Sequence, residues 1–123
     1  MTTILIVDDE YLIANILGFA LEDEGYMTVI ASNGQKALEV LTRERPELVI
    51  TDFMMPVMDG LEFAETVRRR DDVFKELPIL LMSGAQASIG EKRPDLFIKV
   101  FPKPFDIAAL IDAVKALVPP TPG

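Results

Sequence analysis

Five short apolar runs punctuate this chain, each stopped by polar or turn-forming residues, and stretches of helical spacing lie between them. Thr3 to Val7 is a near-continuous aliphatic run, the pattern of a parallel strand covered on both faces. It stops at Asp8, Asp9 and Glu10. From about Tyr11 to Glu24 the spacing of Leu12, Ile13, Ile16, Leu17, Ala20 and Leu21 predicts a helix with one apolar stripe, and Gly25 predicts its stop. Met27 to Ala31 reads as a weaker strand, followed by Ser32, Asn33 and Gly34. Ala37, Leu38 and Leu41 mark a second helix that Pro46 closes off. Leu48 to Thr51 is the third strand and delivers Asp52, since an apolar run of this length between turn signals reads as a buried strand.

Asp59, Gly60, Leu61 and Glu62 have capping-box spacing, with Asp59 as N-cap and Glu62 reaching back. The helix they start runs through Ala64 and Val67 to Arg68, Arg69 and Arg70, read as a solvated end where cations complement exposed carbonyls. Pro78 to Met82 is the fourth strand and delivers Ser83 and Gly84. From Gln86 to Phe97 the signal weakens, because Gly90 and Pro94 interrupt the spacing, and only a short fourth helix is expected. Ile98 to Phe101 is the fifth strand, leading into Pro102, Lys103, Pro104 and Phe105. Asp106 then caps a last helix striped by Leu110, Ile111, Val114 and Leu117.

Strands alternating with helices imply an α/β domain with a parallel sheet and right-handed crossovers. In such sheets ligands bind beyond the carboxyl ends of the strands. Those ends carry the polar residues: Asp8 and Asp9 after the first strand, Asp52 after the third, Ser83 after the fourth and Lys103 after the fifth. If the first and third strands are neighbours, the order 2-1-3-4-5 gathers all three carboxylates in one crevice. The fold expected is therefore a flavodoxin-like, doubly wound (βα)5 domain.

Composition narrows the chemistry. The chain has 123 residues, enough for one domain with a single core. It contains no cysteine, hence no disulfide, thiol nucleophile or thiolate metal site. It contains no histidine either, so any phosphohistidine must come from a partner. A net charge of -8 argues against direct nucleic-acid binding. No apolar run reaches the length of a membrane span and no secretory pattern opens the chain, so a soluble, cytoplasmic protein is expected. Clustered carboxylates need a counter-charge to stay ionised. An all-oxygen donor set favours magnesium. Lys103 and Ser83 suit phosphoryl oxygens, and Asp52 can act as a nucleophile that accepts a phosphoryl group.

These residues together resemble the response-regulator receiver domains of two-component systems, the chemotaxis-regulator type included. Asp8 and Asp9, the stretch from Asp52 through Pro56 to Asp59 and Gly60, Ser83 with Gly84, and Lys103 with Pro104 and Phe105 carry the likeness, which covers about residues 2 to 118. The resemblance implies magnesium-dependent transfer from the phosphohistidine of a histidine kinase or histidine phosphotransfer protein to Asp52. It implies that Asp8 or Asp9, Asp52 and the backbone carbonyl of Met54 ligate the metal. Lys103 would pair with the phosphoryl group, its bond to Pro104 would be cis, and Ser83 would move toward the phosphate. A receiver domain is expected over residues 1–118, with a Pro-rich tail or linker stump over 119–123. The signal would leave by a protein contact or phosphate relay to an unspecified target.

The chain departs from the family pattern where an aromatic usually precedes the lysine by three residues: Val100 stands there, and Phe101 should face the other side of the strand. Met54 and Ala85 occupy positions that tune dephosphorylation in this family. Neither can activate water, so slow hydrolysis is expected. A pseudo-receiver, serving as a constitutive interaction module without phosphorylation, is the alternative. A magnesium-dependent phosphohydrolase fits less well, since Met54 stands where a second acid would serve as general acid/base.

Overall fold

In the computed structural model, residues 1–120 are described. The elements are β1 (Thr3–Val7), α1 (Tyr11–Asp23), β2 (Met27–Ala31), α2 (Gly34–Glu44), β3 (Leu48–Asp52) and α3 (Gly60–Arg68), then β4 (Ile79–Ser83), α4 (Ala87–Glu91), β5 (Lys99–Pro102) and α5 (Ile107–Leu117). A 3₁₀ turn over Val73–Glu76, which the apolar spacing did not predict, precedes β4. The five strands are parallel in the order β2-β1-β3-β4-β5, so the neighbour relation between the first and third strands holds. Of the expected tail, positions 121–123 lie outside the described residues.

Every residue of β3 and β4 is buried, because helices cover both faces of the sheet. Alternation along the strands divides the interior in two. Leu5, Val7, Val49, Leu81 and Phe53 face one apolar cluster with Phe63 of α3 and Leu41 of α2. Ile4, Ile6, Ile50, Leu80 and Met82 face the other with Leu17 of α1 and Leu110 of α5. Val100 packs on the first cluster and Phe101 lies in the second, so the two residues do point to opposite faces.

The stripe expected on α1 is displaced. Its buried residues are Ala14, Leu17, Gly18 and Leu21, whereas Leu12 and Ile16 are 77% and 52% exposed. Ala14 and Gly18 let the helix axis approach the sheet: a Cβ on Gly18 would already stand 3.4 Å from Thr28 Oγ1. Larger residues on either side are turned outward in consequence.

The arginine trio is likewise not a solvated end. Arg68 donates to the carbonyls of Lys75, Leu77, Asp95 and Leu96. Arg70 pairs with Asp72 and lies over the Phe74 ring. Arg69 alone is exposed. Asp59 Oδ1 accepts the Glu62 N–H at 2.8 Å, but among the described residues the Asp59 N–H does not donate to the Glu62 carboxylate in return, so half of the capping box is made. At the far end of the sheet Tyr26 donates its hydroxyl to the Val118 carbonyl at 2.6 Å, and Thr2 Oγ1 donates to that of Pro119 at 3.2 Å. The start of the expected tail therefore lies against the domain.

Candidate functional site

Four strand ends meet at one rim. Val7 pairs with Thr51, which sets Asp8 beside Asp52, and Asp52 pairs with Met82 just before Ser83. Ser83 in turn pairs with Pro102 just before Lys103. Lys103 is held at both ends: its N–H donates to the Ser83 carbonyl at 2.7 Å and its Nζ to Asp52 Oδ1 at 3.1 Å. The Lys103–Pro104 peptide is cis.

Asp52 is buried to 6% exposure. Its Oδ1 also accepts the Phe53 N–H at 2.9 Å; both bonds fall on Oδ1, which leaves Oδ2 without a donor among the described residues. Burial pushes the Asp52 pKa above the ordinary carboxylate value, against the Lys103 hydrogen bond and charge and the Phe53 N–H, which pull it down. The chain leaves Asp52 through a tight loop. Gly60, the first residue of α3, lies so close that a Cβ there would sit 2.2 Å from the Asp52 carbonyl oxygen. Only glycine allows that approach.

Asp8 is almost sealed at 1% exposure. Its Oδ1 accepts the Glu10 N–H at 2.9 Å, and its Oδ2 has no hydrogen-bond partner. Burial raises its pKa to about 6; the Glu10 N–H opposes the shift and the negative charge of Asp52 adds to it. A buried carboxylate oxygen without a donor is costly, and it calls for an ion or donor not supplied by the protein. Ser83 Oγ is the second buried atom in that condition, at 1% exposure of the residue.

Carboxylate oxygens of Asp8, Glu10 and Asp52 lie within 4.8 Å of one another. This all-oxygen, anionic donor set fits a hard divalent cation such as magnesium. Asp9 is exposed and outside that trio, although its charge still acts on Asp52. Met54 is 59% exposed in the loop that follows Asp52. The structure thus brings together Asp8, Asp52, Ser83 and Lys103, and adds Glu10. Glu10 was visible as the third member of an acidic run, but only the first turn of α1, which returns its N–H to Asp8, places it over the rim. Beside the rim an apolar groove of about 500 Å³ runs between Ile13, Ile16 and Leu17 of α1 and Pro104, Phe105 and Ile107, with Glu10 and Lys103 also lining it.

Comparison with known proteins identifies the family. The family model described as response regulator receiver domain matches residues 4–115. The chain is 40% identical over 116 residues to sporulation initiation phosphotransferase F of Bacillus subtilis, covering 94% of this chain and 93% of that protein. It is 36% identical to response regulator MprA of Mycobacterium leprae, where 94% of this chain spans 50% of the relative's length. Among solved structures, the chemotaxis response regulator CheY4 of Vibrio cholerae superposes with a TM-score of 0.83 at 29% identity, covering 96% of this chain and 99% of that one.

Proposed function

This chain belongs to the response regulator receiver domains of two-component systems, and we propose that Asp52 is its phosphoacceptor. The observation that carries the reading is Asp52 itself: a buried carboxylate at a strand end, held through one oxygen by Lys103 and Phe53, beside two buried polar atoms that lack partners. The receiver is assigned to residues 1–118.

The donor is the phosphohistidine of a histidine kinase or a histidine phosphotransfer protein. Asp52 Oδ2 forms the new O–P bond as the N–P bond of the partner's imidazole breaks, and the electron pair of that bond stays on the imidazole nitrogen. Lys103 Nζ, already 3.1 Å from Asp52 Oδ1, transfers its contact to a phosphoryl oxygen, where a compact ammonium charge stabilises the charge in flight. The Ser83 hydroxyl, with no other acceptor, donates to a second phosphoryl oxygen. Asp8, Asp9, Asp52 and the Met54 carbonyl would hold Mg2+, which would supply positive charge opposite the phosphoryl oxygens. The apolar groove and the exposed side chains of Leu12 and Ile16 flank the rim and offer the partner a contact surface.

Phosphorylation adds about two negative charges at this rim, and the response is a changed protein-binding surface or onward transfer of the phosphoryl group. Relay is favoured by the 40% identity to a relative that is itself called a phosphotransferase. None of the helices over the described residues is long and apolar enough to cross a membrane, and a cytoplasmic site of action is part of the proposal.

Intact-mass analysis after incubation with a small acyl-phosphate donor tests the reading. One added phosphoryl group that requires both Mg2+ and Asp52, and is absent from Asp52→Asn, is the expected result. No adduct, together with amide resonances around Asp52 and Ser83 that beryllofluoride leaves unmoved, would overturn it in favour of a constitutive interaction module.

A further inference from the structure

We propose that Glu10 is a further side-chain carboxylate of the cation site, joining Asp8, Asp9 and Asp52 and setting the affinity of that site. The proposal rests on the phosphoacceptor reading above and adds to it a residue from the start of α1. Glu10 stands at the N-cap of α1, where a side chain normally accepts an N–H from the first turn. It makes no such bond, so the helix does not account for where its carboxylate lies. Its oxygens instead fall within 4.8 Å of those of Asp8 and Asp52. The Glu10 backbone N–H, bonded to Asp8 Oδ1 at 2.9 Å, fixes the turn that brings the two side chains together.

A cluster of acids at a helix start is common without an ion. Here a second feature sets the cluster apart: Asp8 Oδ2 is sealed from water and has no donor. The nearest ammonium is already engaged, since Lys103 Nζ is bonded to Asp52 Oδ1. Three carboxylates facing one ammonium leave a charge deficit that a single divalent cation matches. Magnesium sites are commonly held by one or two carboxylates, and the count of charged ligands tunes affinity in hard-cation sites. A further carboxylate therefore makes this a tighter site than the set without Glu10 would form.

Equilibrium binding of Mn2+ to the unphosphorylated full chain, read from the EPR signal of the free ion, tests this without any phosphoryl transfer. Glu10→Gln is compared with wild type and with Glu76→Gln, an exposed acid in the 3₁₀ turn before β4, remote from the rim. Loss of a supporting partner of a metal site weakens binding by about 10-fold or more, and that loss is expected for Glu10→Gln, with Glu76→Gln unchanged. Repeating the titration at about 0.1 M and about 1 M KCl shortens the reach of a bystander charge from about 10 Å to about 3 Å. A Glu10 effect that persists at high salt supports the proposal. Binding by Glu10→Gln equal to wild type, or a difference that disappears at high salt, overturns it while leaving Asp52 as phosphoacceptor. No Mn2+ binding by wild type, with Asp8→Asn indistinguishable from it, would overturn the cation site itself.

Discussion

Ionisation of Asp8 costs the fold stability, and the cost has a definite pH window. Its carboxyl has the ordinary value of 3.8 when unfolded and about 6 when folded, chiefly through burial. Below 3.8 both states are protonated and nothing is lost. Between 3.8 and about 6 the unfolded chain releases a proton that the folded chain keeps, so stability falls as pH rises. Above about 6 the penalty is complete, roughly 1–3 kcal/mol. Asp72 and Asp95 act the other way: hydrogen bonds from Arg70 and Arg93 hold them below 3.8, so their contribution is lost only in stronger acid. Asp8→Asn is therefore expected to stabilise the metal-free protein at pH 7 by roughly 1–3 kcal/mol in urea denaturation. The gain should vanish near pH 4, and saturating Mg2+ should stabilise wild type more than the variant. Residues of this kind were legible in sequence because they end apolar runs: Asp8, Asp52, Ser83 and Lys103 needed only the strand boundaries. Glu10 and Arg68 were not, since their roles depend on where a helix start and a helix end come to rest.

Arg68 matters through the elements that it joins. One guanidinium at the end of α3 holds the carbonyls of Lys75 and Leu77, which lead into β4, and those of Asp95 and Leu96, which lead into β5. Arg68→Met keeps most of the aliphatic stem but strands the part-buried Leu77 and Leu96 carbonyls. A loss of roughly 2–4 kcal/mol in urea denaturation is expected, with Arg68→Lys recovering only part of it because an ammonium cannot reach all four acceptors. The loop between β3 and α3 stores strain of another kind. Val57 has φ +70° at the centre of a turn closed by the Met58 N–H on the Pro56 carbonyl at 2.8 Å, a conformation that a β-branched side chain resists. Relief of about 1–2 kcal/mol, less about 0.5–1 kcal/mol for added freedom of the unfolded chain, predicts that Val57→Gly raises stability by up to about 1.5 kcal/mol in the same assay. The strands and most helices could be read from their periods and caps. The stripe of α1 could not, because two overlapping apolar stripes compete there and the small residues win the sheet. Nor could the 3₁₀ turn, whose four residues are too few to show a period.

At the scale of the whole molecule, the order of the strands was legible from chemistry rather than from pattern. Apolar runs say that strands exist but not which are neighbours; the requirement that Asp8, Asp52, Ser83 and Lys103 share one rim selected the order that the sheet adopts. The division of the interior was less legible, since strands buried on both faces do not alternate in polarity. The sheet is held from both sides, yet not equally. On the side of the first cluster the fourth crossover is covered by α4, only five residues long and without a side-chain cap. It rests on Leu81 and Val100 through Gly90, where a Cβ would come within 2.3 Å of Leu81 Cδ2. So short a helix has little persistence of its own, and helix–coil exchange runs on submicrosecond clocks, far faster than any rearrangement of a buried sheet. The segment that follows Ser83 is therefore the one expected to open and re-form while the strands beneath it stand still, and hydrogen exchange at the α4 amides faster than at β4 would show it.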